Sequence, residues 1–394
     1  MTQAALMPAI SRRSLLGASL ALPACATTPK ATTSGFLRPP LAPIRLDPGR
    51  ITHITVCLRP FRGAGPRLDV ETIGTKRVVH NYGHGGSGWS LSWGSAAIAA
   101  RLAFEAGAMA DGVREIAVIG CGAIGITTAI TLQRAGAKVT IYAADRLPQT
   151  RSARATGTWS PDSRIADAAV VAPQFAAMWE AMARHSFAMH QTFVGAAGDP
   201  IVWSDRYALL APETAPTAPP PGTIDFADYG ARLRDIVPRS RPLMRAEHPF
   251  PHDNVRHGTA MQFNIAALGQ RLMQDFLVEG GRIETMTFAS PADFGRLAQP
   301  VIVNCTGYGA RALMGDAAVI PIRGQIAWLA AQPEVHYGVY YKSVTVLPRS
   351  DGIVVQYVGE NDMWGYGVDS EAPDRAEAEA AIATILPLFI NGVT

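Results

Sequence analysis

The residues that point most clearly to chemistry are the glycines of the segment HNYGHGGSGWSLSWG, residues 80–94. Four of them fall within six residues, from Gly83 to Gly88. Glycine lets a backbone approach a flat ring system closely and donate N–H groups to it. A following helix, opened by Ser95 and rich in alanine to Ala106, would direct its positive N-terminal end at that ring and stabilise negative charge there.

A metal site is not expected in this sequence. His80 and His84 have the i, i+4 spacing of ligands on a helix, but the glycines between them exclude that helix. Cys57, Cys121 and Cys305 lie in apolar stretches that are typical of buried thiols, and no cysteine spacing resembles a zinc site.

A β-α-β unit is predicted over residues 115–145. The apolar run 116–119 is typical of a buried parallel strand and leads directly into Gly120-x-Gly122-x-x-Gly125. These glycines permit a tight turn, which brings backbone N–H groups and a helix N-terminus to a pyrophosphate.

An acidic residue completes this unit. Asp145 follows Gly125 by 20 residues, where an acid can bind ribose hydroxyls, although the usual strand-end position is Ala143. The unit therefore predicts a bound dinucleotide, without distinguishing FAD from NAD.

Three further helices are predicted from the spacing of apolar residues, over residues 174–194, 262–279 and 376–386. Asp369 and Ser370 are the expected caps of the last helix, and Pro387 limits it.

The glycine segment closely resembles the HNYGHGG signature of D-amino-acid oxidases, and five other segments agree with that family. They are CLRPFR from Cys57 (the substrate-arginine strand), IYAADRLP from Ile141 (the strand end at the adenosine), TGTWSP from Thr156 (a loop that passes the flavin), VIVNCTG from Val301 (the second flavoprotein strand) and RGQI from Arg323 (the turn after it). The resemblance covers nearly everything from residue 45 to the end. It implies an α/β fold, with a Rossmann-type FAD-binding domain interlocked with an α+β substrate domain on a mixed or antiparallel sheet.

The resemblance also implies FAD as the cofactor. The residues expected at FAD are Gly85, Gly86, Ser87, Gly88, Trp89 and Ser90 in the glycine segment, Gly120, Gly122, Ala123, Ile124 and Gly125 in the fingerprint, then Ala144, Asp145, Arg146, Thr156, Gly157, Thr306 and Gly307.

The implied reaction is oxidative deamination of D-amino acids to 2-oxo acids, by hydride transfer to the flavin and reoxidation by oxygen. Arg59 would bind the substrate carboxylate with parallel N–H donors. The Gly86 carbonyl would accept a hydrogen bond from the amine, and Tyr341 would line the pocket. The family's second carboxylate-binding tyrosine falls on Thr345, a departure that bears on substrate range.

The sequence leaves three other functions open. The first is oxidation of glycine, sarcosine or another small amine by a related oxidase. The second is a dehydrogenase that passes electrons to a membrane carrier instead of oxygen, and the third is an inactive flavin-binding homologue. Only the missing tyrosine favours the inactive homologue.

The order of the family's segments is rotated in this chain. Segments that end the usual family sequence occupy residues 45–110, before the dinucleotide strand, which predicts a circular permutation. The last residues, 386–394, stop where the family chain would continue into the arginine strand. The FAD-binding domain is predicted over 63–165 and 256–318, and the substrate domain over 36–62, 166–255 and 319–394.

Residues 1–35 are predicted to be an export signal and tether. Arg12 and Arg13 resemble a twin-arginine signal, and the apolar run after them is too short to span a bilayer. The sequence LPAC ending at Cys25 resembles a lipobox, so the expected location is the periplasm, with anchorage through a lipid on that cysteine left open.

The composition excludes two classes of protein. Hydrophobic residues make up 48% of the 394 residues, enough for one large or two interlocked domains and too many for a disordered chain. A net charge of +3 from scattered basic residues gives no nucleic-acid-binding surface. The expected partners are a small amino-acid or amine substrate and an electron acceptor.

Overall fold

A six-stranded sheet carries the dinucleotide fingerprint in the computed structural model, which describes residues 41–108, 115–212, 220 and 222–390. Its strands are β2 (Val70–Ile73), β3 (Lys76–His80), β4 (Glu115–Ile119), β5 (Lys138–Ala143), β9 (Arg282–Thr285) and β10 (Val301–Asn304). Their order is β2-β3-β10-β4-β5-β9, and every neighbouring pair is parallel except β2 with β3. The fingerprint strand β4 is therefore an inner strand, as its apolar run predicts. The predicted export signal, Cys25 and the predicted joint of the circular permutation lie outside the described residues.

The helix after the glycine segment, α1 (Gly88–Ala103), begins earlier than predicted. Ser95 was expected to open it, but a single 3-10 turn over Gly85–Ser87 leads directly into the helix at Gly88. Gly83 and Gly85 have φ angles of 91° and 54°, which favour glycine, whereas Gly88 has a helical φ of −49°. The last glycine of the cluster thus belongs to the helix.

A glycine within α1 has a packing role. Helix α3 (Phe175–Gln191) crosses α1 at Gly94, where a Cβ atom would lie 2.2 Å from the carbonyl oxygen of Met182. The Gly94 N–H also donates to Ser186 Oγ at 2.8 Å. Only glycine allows this close approach of the two helices.

An eight-stranded mixed sheet forms the second layer of the molecule. Its strands are β1 (Ile51–Phe61), β6 (Ile201–Leu209), β7 (Arg241–Leu243), β8 (Val255–Phe263), β11 (Ile320–Leu329), β12 (Tyr337–Tyr341), β13 (Val344–Arg349) and β14 (Gly352–Tyr357). The order is β1-β11-β14-β13-β12-β6-β8-β7, with only β12 and β6 parallel. Strand β8 lies in a stretch predicted for the FAD-binding domain, but its nine-residue pairing with β6 places it in this sheet.

The remaining helices are α2 (Ala123–Arg134), α4 (Ile265–Val278), α5 (Ala310–Leu313), α6 (Arg375–Ile385) and α7 (Pro387–Ile390). The three predicted helices correspond to α3, α4 and α6. The cap of α6 is Asp374, not Asp369 or Ser370, and its side chain accepts the Glu377 N–H at 3.1 Å. Pro373 keeps the residue before it extended, so the helix starts directly after Asp374. Within the described ranges, no helix is long and apolar enough to cross a membrane.

Candidate active site

A cavity of about 730 Å³ lies between the two sheets. Its lining comes from β1, the glycine segment, the β4–α2 turn, the end of β5, residues 149–164, the residues after β10, and strands β11, β13 and β14. Sites of this size hold small molecules and cofactors. Because so many separate segments contribute to it, the cavity is a product of the tertiary fold.

The β4–α2 turn forms one end of the cavity. Gly120 has a φ of 101°, and a Cβ there would lie 2.6 Å from the Cys305 carbonyl oxygen. Gly122 is the N-cap of α2 and gives it no side-chain hydrogen bond. The Ala123 N–H donates to Ser152 Oγ at 3.0 Å, and Ala123 and Ile124 both line the cavity. The positive end of α2 thus faces space that an anion can fill.

Gly125 and Arg146 are predicted cofactor residues that do not line the cavity. Gly125 packs against its own turn, since a Cβ there would lie 2.0 Å from the Gly120 carbonyl oxygen. Arg146 turns toward β9, where it donates to the Ile283 carbonyl at 3.1 Å. Ala144 and Asp145, beside it, do line the cavity.

The glycine segment forms the middle of the cavity. A Cβ on Gly85 would lie 1.8 Å from the Arg164 carbonyl oxygen, and the Gly86 N–H donates to the Ser163 carbonyl at 2.9 Å. Gly85, Gly86, Gly88, Trp89 and Ser90 line the cavity. Ser87 does not, because it is buried and its hydroxyl donates to the Ser163 carbonyl at 3.1 Å.

Residues 149–164 and the residues after β10 form two loops that contact this segment or line the cavity beside it. The Trp89 indole donates to the Ser152 carbonyl at 2.9 Å, and the Ser160 N–H donates to Ser90 Oγ at 2.9 Å. Thr156 and Gly157 line the cavity from the same loop, as Thr306 and Gly307 do from the end of β10.

His84 is a buried neutral group in the lining. Burial lowers the pKa of His84 to about 3, so the ring carries no proton charge at neutral pH. Its Nε2 atom has no hydrogen-bond partner among the described residues. No group of histidine, cysteine and acidic residues in the described ranges is arranged to hold a metal.

Arg59 enters the cavity from β1. Its strand partner on β11 is Ile322, and a Cβ on neighbouring Gly324 would lie 2.3 Å from its guanidinium, so that glycine makes room for it. Burial lowers the pKa of Arg59, because desolvation disfavours the charged guanidinium. No hydrogen bond or ion pair involves this guanidinium in the part of the chain that the structure describes.

Tyr341 is not brought to the cavity. Its ring packs with the apolar side chains of the eight-stranded sheet and lies 5.8 Å from the His252 ring, edge to face. Strand alternation explains the difference: Tyr340, not Tyr341, pairs with Thr345, and Thr345 lines the cavity. Tyr341 pairs with Val344 and therefore lies on the face of the sheet opposite to Thr345.

Sequence reasoning missed a set of charged residues in the lining. They are Arg151, Arg154, Arg164 and Glu371. Glu371 accepts from Arg151 at 2.7 Å and from Arg154 at 3.1 Å, and these arginines lower the pKa of its carboxyl. The three arginines within residues 151–164 were the sequence signal for these charged residues. The small residues between them instead favour an interpretation of the loop as a backbone contact to the cofactor.

The cavity fits FAD. Turns without side chains at Gly120 and Gly85, the N-terminus of α2 in the lining and a polar strand end at Asp145 are the features that a pyrophosphate, a flat ring and a ribose require. The N-terminus of α1 reaches the cavity at Gly88, where its N-cap Ser87 makes no side-chain cap hydrogen bond. These residues would hold the cofactor mainly through backbone groups.

A family model and two relatives also indicate an FAD-dependent oxidoreductase. The family model for DAO, FAD-dependent oxidoreductase, matches residues 115–392. The D-amino-acid oxidase of Streptomyces coelicolor is 26% identical over 268 residues, which are 65% of this chain and 73% of that protein. The D-amino-acid oxidase of Rubrobacter xylanophilus is 28% identical over 281 residues, 68% of this chain and 76% of that protein.

Solved structures with a similar arrangement have lower identity. Glycine oxidase from Geobacillus kaustophilus is 16% identical with a TM-score of 0.45, over 62% of this chain and 70% of that one. An L-amino acid deaminase from Proteus vulgaris is 18% identical with the same TM-score, over 70% of this chain and 73% of that one. Because the family model matches more than half of the chain, including the fingerprint, the chain belongs to the DAO family of FAD-dependent oxidoreductases, and FAD is its cofactor.

Proposed function

We propose that this enzyme oxidises D-amino acids to 2-oxo acids, with oxygen as the electron acceptor. The observation that carries the proposal is the Arg59 guanidinium, which lines the same cavity as the glycine segment and forms no ion pair with a carboxylate of the described residues. A half-buried cation of this kind favours an anionic ligand.

In this mechanism the chain orients its substrate and contributes little acid–base chemistry. Strand β1 packs against the glycine turn, and its last residue Phe61 bridges to His84. Arg59 would bind the α-carboxylate bidentately, while the Gly86 carbonyl accepts a hydrogen bond from the amine. FAD, when bound, would supply the acceptor for the hydride of the substrate Cα and the centre from which oxygen takes the electrons to give hydrogen peroxide. Water then converts the released imine to a 2-oxo acid and ammonia.

The N-terminus of α1 supports the same chemistry. The helix is 16 residues long and begins at Gly88, in the cavity lining. Its dipole would stabilise negative charge that develops on a reduced ring system beside it.

A peroxide assay of the FAD-loaded protein tests this proposal. We expect peroxide with D-amino acids, none with their L-enantiomers, and one ammonia for each peroxide. Turnover of glycine or sarcosine in preference to D-amino acids would favour the amine oxidase. Reduction of a dye without peroxide would favour the dehydrogenase. A protein that binds FAD but turns over none of these substrates would be an inactive homologue.

We also propose that the element order is a circular permutation. If β3 were placed after β10 in the chain, the order β9-β5-β4-β10-β3 would be the 3-2-1-4-5 order of a dinucleotide-binding sheet. Leu41 and Phe389 line one small apolar cavity, so a short linker could join these two positions. A chain that starts at residue 115, continues through 390 and a Gly/Ser linker, and ends with 41–108 should fold, bind FAD and keep its activity.

The division of labour between the sheets is part of the same proposal. All strands of the six-stranded sheet fall within the segments assigned to the FAD-binding domain, whereas Arg59 and Thr345 lie on the other sheet. The six-stranded sheet would hold FAD and the eight-stranded sheet the substrate.

The proposed location is the periplasm, after export of the folded, FAD-loaded protein. The twin-arginine resemblance at Arg12 and Arg13 supports it. Replacing both residues by lysine should retain the protein in the cytoplasm, and a Cys25→Ala variant should release any membrane-bound fraction. Unchanged distribution of either variant would contradict the corresponding part of the proposal.

A further inference from the structure

A second arginine faces the cavity from an element other than β1. Arg164 belongs to the loop that contacts the glycine turn, and its φ of 50° is a left-handed value that few non-glycine residues adopt. Its carbonyl oxygen lies against Gly85, where no Cβ could fit. The backbone is thus fixed in an unfavourable conformation at the residue whose side chain lines the site.

The two guanidinium groups of Arg59 and Arg164 lie close enough to affect each other. Burial, and then repulsion by Arg59, lower the pKa of Arg164 to about 10. Arg164 is 8% exposed, so water screens this repulsion poorly. A pair of like charges in a protein interior requires an anion to compensate it.

Asp362 is the carboxylate that Arg164 now contacts. Arg164 Nε donates to the Asp362 carbonyl at 2.7 Å, and its Nη2 lies 3.2 Å from Asp362 Oδ1. The Asp362 side chain is 69% exposed, so this ion pair contributes little and can be exchanged for another carboxylate. Across the described ranges, no other carboxylate lies within ion-pair distance of either arginine.

We propose that the cavity is built for D-amino acids with a second carboxylate, of the size of D-aspartate or D-glutamate. This inference rests on the proposed function: Arg59 binds the α-carboxylate, and Arg164 binds the side-chain carboxylate in place of Asp362. The lining also carries hydroxyl or amide groups from Thr158, Ser160, Thr345 and Gln356, which can bind a polar substrate side chain.

Substrate pairs that differ only in charge test the proposal. For the FAD-loaded enzyme we expect kcat/KM for D-aspartate to exceed that for isosteric D-asparagine by about tenfold or more. The same preference should hold for D-glutamate over D-glutamine. Arg164→Gln should reduce that ratio to about one, and Arg164→Lys should retain part of it. Arg184→Gln, a matched change on the outer face of α3, should leave the ratio unchanged.

A binding measurement separates this inference from the proposed function. Succinate and butyrate, a dicarboxylate and a monocarboxylate of similar size, are titrated against the FAD-loaded protein and followed by flavin absorbance. Succinate should bind about tenfold tighter, and Arg164→Gln should remove the difference. Asp362→Asn should keep or increase it, because the competing carboxylate is gone.

The outcomes are distinct. Turnover of neutral D-amino acids at least as fast as acidic ones would overturn the inference and leave the proposed function intact. Absence of turnover with every D-amino acid would overturn the proposed function, and equal binding of succinate and butyrate would then overturn the inference as well. If Arg164→Gln does not retain FAD, the Arg164→Lys and Asp362→Asn variants decide.

Discussion

One end of the cavity is formed mainly by backbone groups and the other mainly by side chains. The nucleotide end consists of backbone at Gly120, Gly122 and the start of α2, and it is complete within a few residues of sequence. The proposed substrate end is formed by Arg59 and Arg164, which come from separate elements. A site made of backbone is therefore determined locally by glycines, whereas a site made of side chains depends on strand register and on loop contacts.

The largest effect is expected where a Cβ would enter the nucleotide end. Gly120→Ala combines a φ of 101° with a contact of 2.6 Å to the Cys305 carbonyl oxygen. We expect the purified variant to lack FAD absorbance and to lose about 3 kcal/mol or more of unfolding free energy in urea.

Gly280→Ala is the matched control for this change. Gly280 has a φ of 93° and nothing within 4 Å of its Cβ position, so the substitution adds only backbone strain. The unfolding free energy should therefore fall by about 1–2 kcal/mol, with FAD retained. Equal damage in both variants would show that strain, and not the closed turn, is what Gly120 avoids.

The next largest effect is expected at the substrate end. Arg59→Ala removes the guanidinium that is proposed to pair with the substrate carboxylate. Loss of one side of such a buried charge pair costs on the order of 2–5 kcal/mol, so kcat/KM should fall by about 30-fold or more with FAD still bound. Arg59→Lys should lie between, because lysine cannot present two parallel donors. Full activity of the alanine variant toward amino acids would place the carboxylate site elsewhere and favour an amine substrate.

A smaller contrast tests the strand register. Tyr341→Phe should leave kcat/KM unchanged within about twofold, because the ring lies outside the cavity lining, whereas Thr345→Val removes one neutral hydrogen-bonding group worth about 0.5–1.5 kcal/mol. Steady-state kinetics with one D-amino acid suffice. A larger loss in the tyrosine variant would restore the role that the sequence first assigned to it.

The pH dependence of stability gives the most gradual effect. Burial lowers the pKa of His84 to about 3 and that of His190 to about 4, so both stay neutral in the folded state while their unfolded forms take up protons below about 6.5. Their contribution is complete above that pH and is lost toward acid. Urea unfolding at pH 7, 6 and 5 should show a loss for each histidine that is small near pH 7 and approaches about 1.4 kcal/mol per pH unit below about pH 6.

His84→Gln provides the check on this assignment. The variant should show a shallower acid dependence than the wild type by one histidine's share, with His190 unchanged as the internal reference. An identical slope of unfolding free energy against pH in the variant and the wild type would mean that folding does not lower the pKa of His84.

These contrasts show how far a sequence can be taken. The fingerprint, strand β4 and the presence of helices α3, α4 and α6 follow from local patterns of glycine and apolar residues. The start of α1 was predicted too late because φ at Gly88 depends on the turn before it. Tyr341 and Arg164 were misplaced or missed because their positions depend on pairing between distant strands and on a loop contact with Gly85.

The pairing of β1 with β11 has a consequence for synthesis of the chain. Thr52 and Trp328 are in contact although 276 positions separate them, and Asn304 contacts His80 across 224 positions. The arginine strand and the glycine segment therefore leave the ribosome long before the strands that cover them. Their apolar faces must wait for most of translation, a high contact order that predicts slow folding and a strong dependence on chaperones.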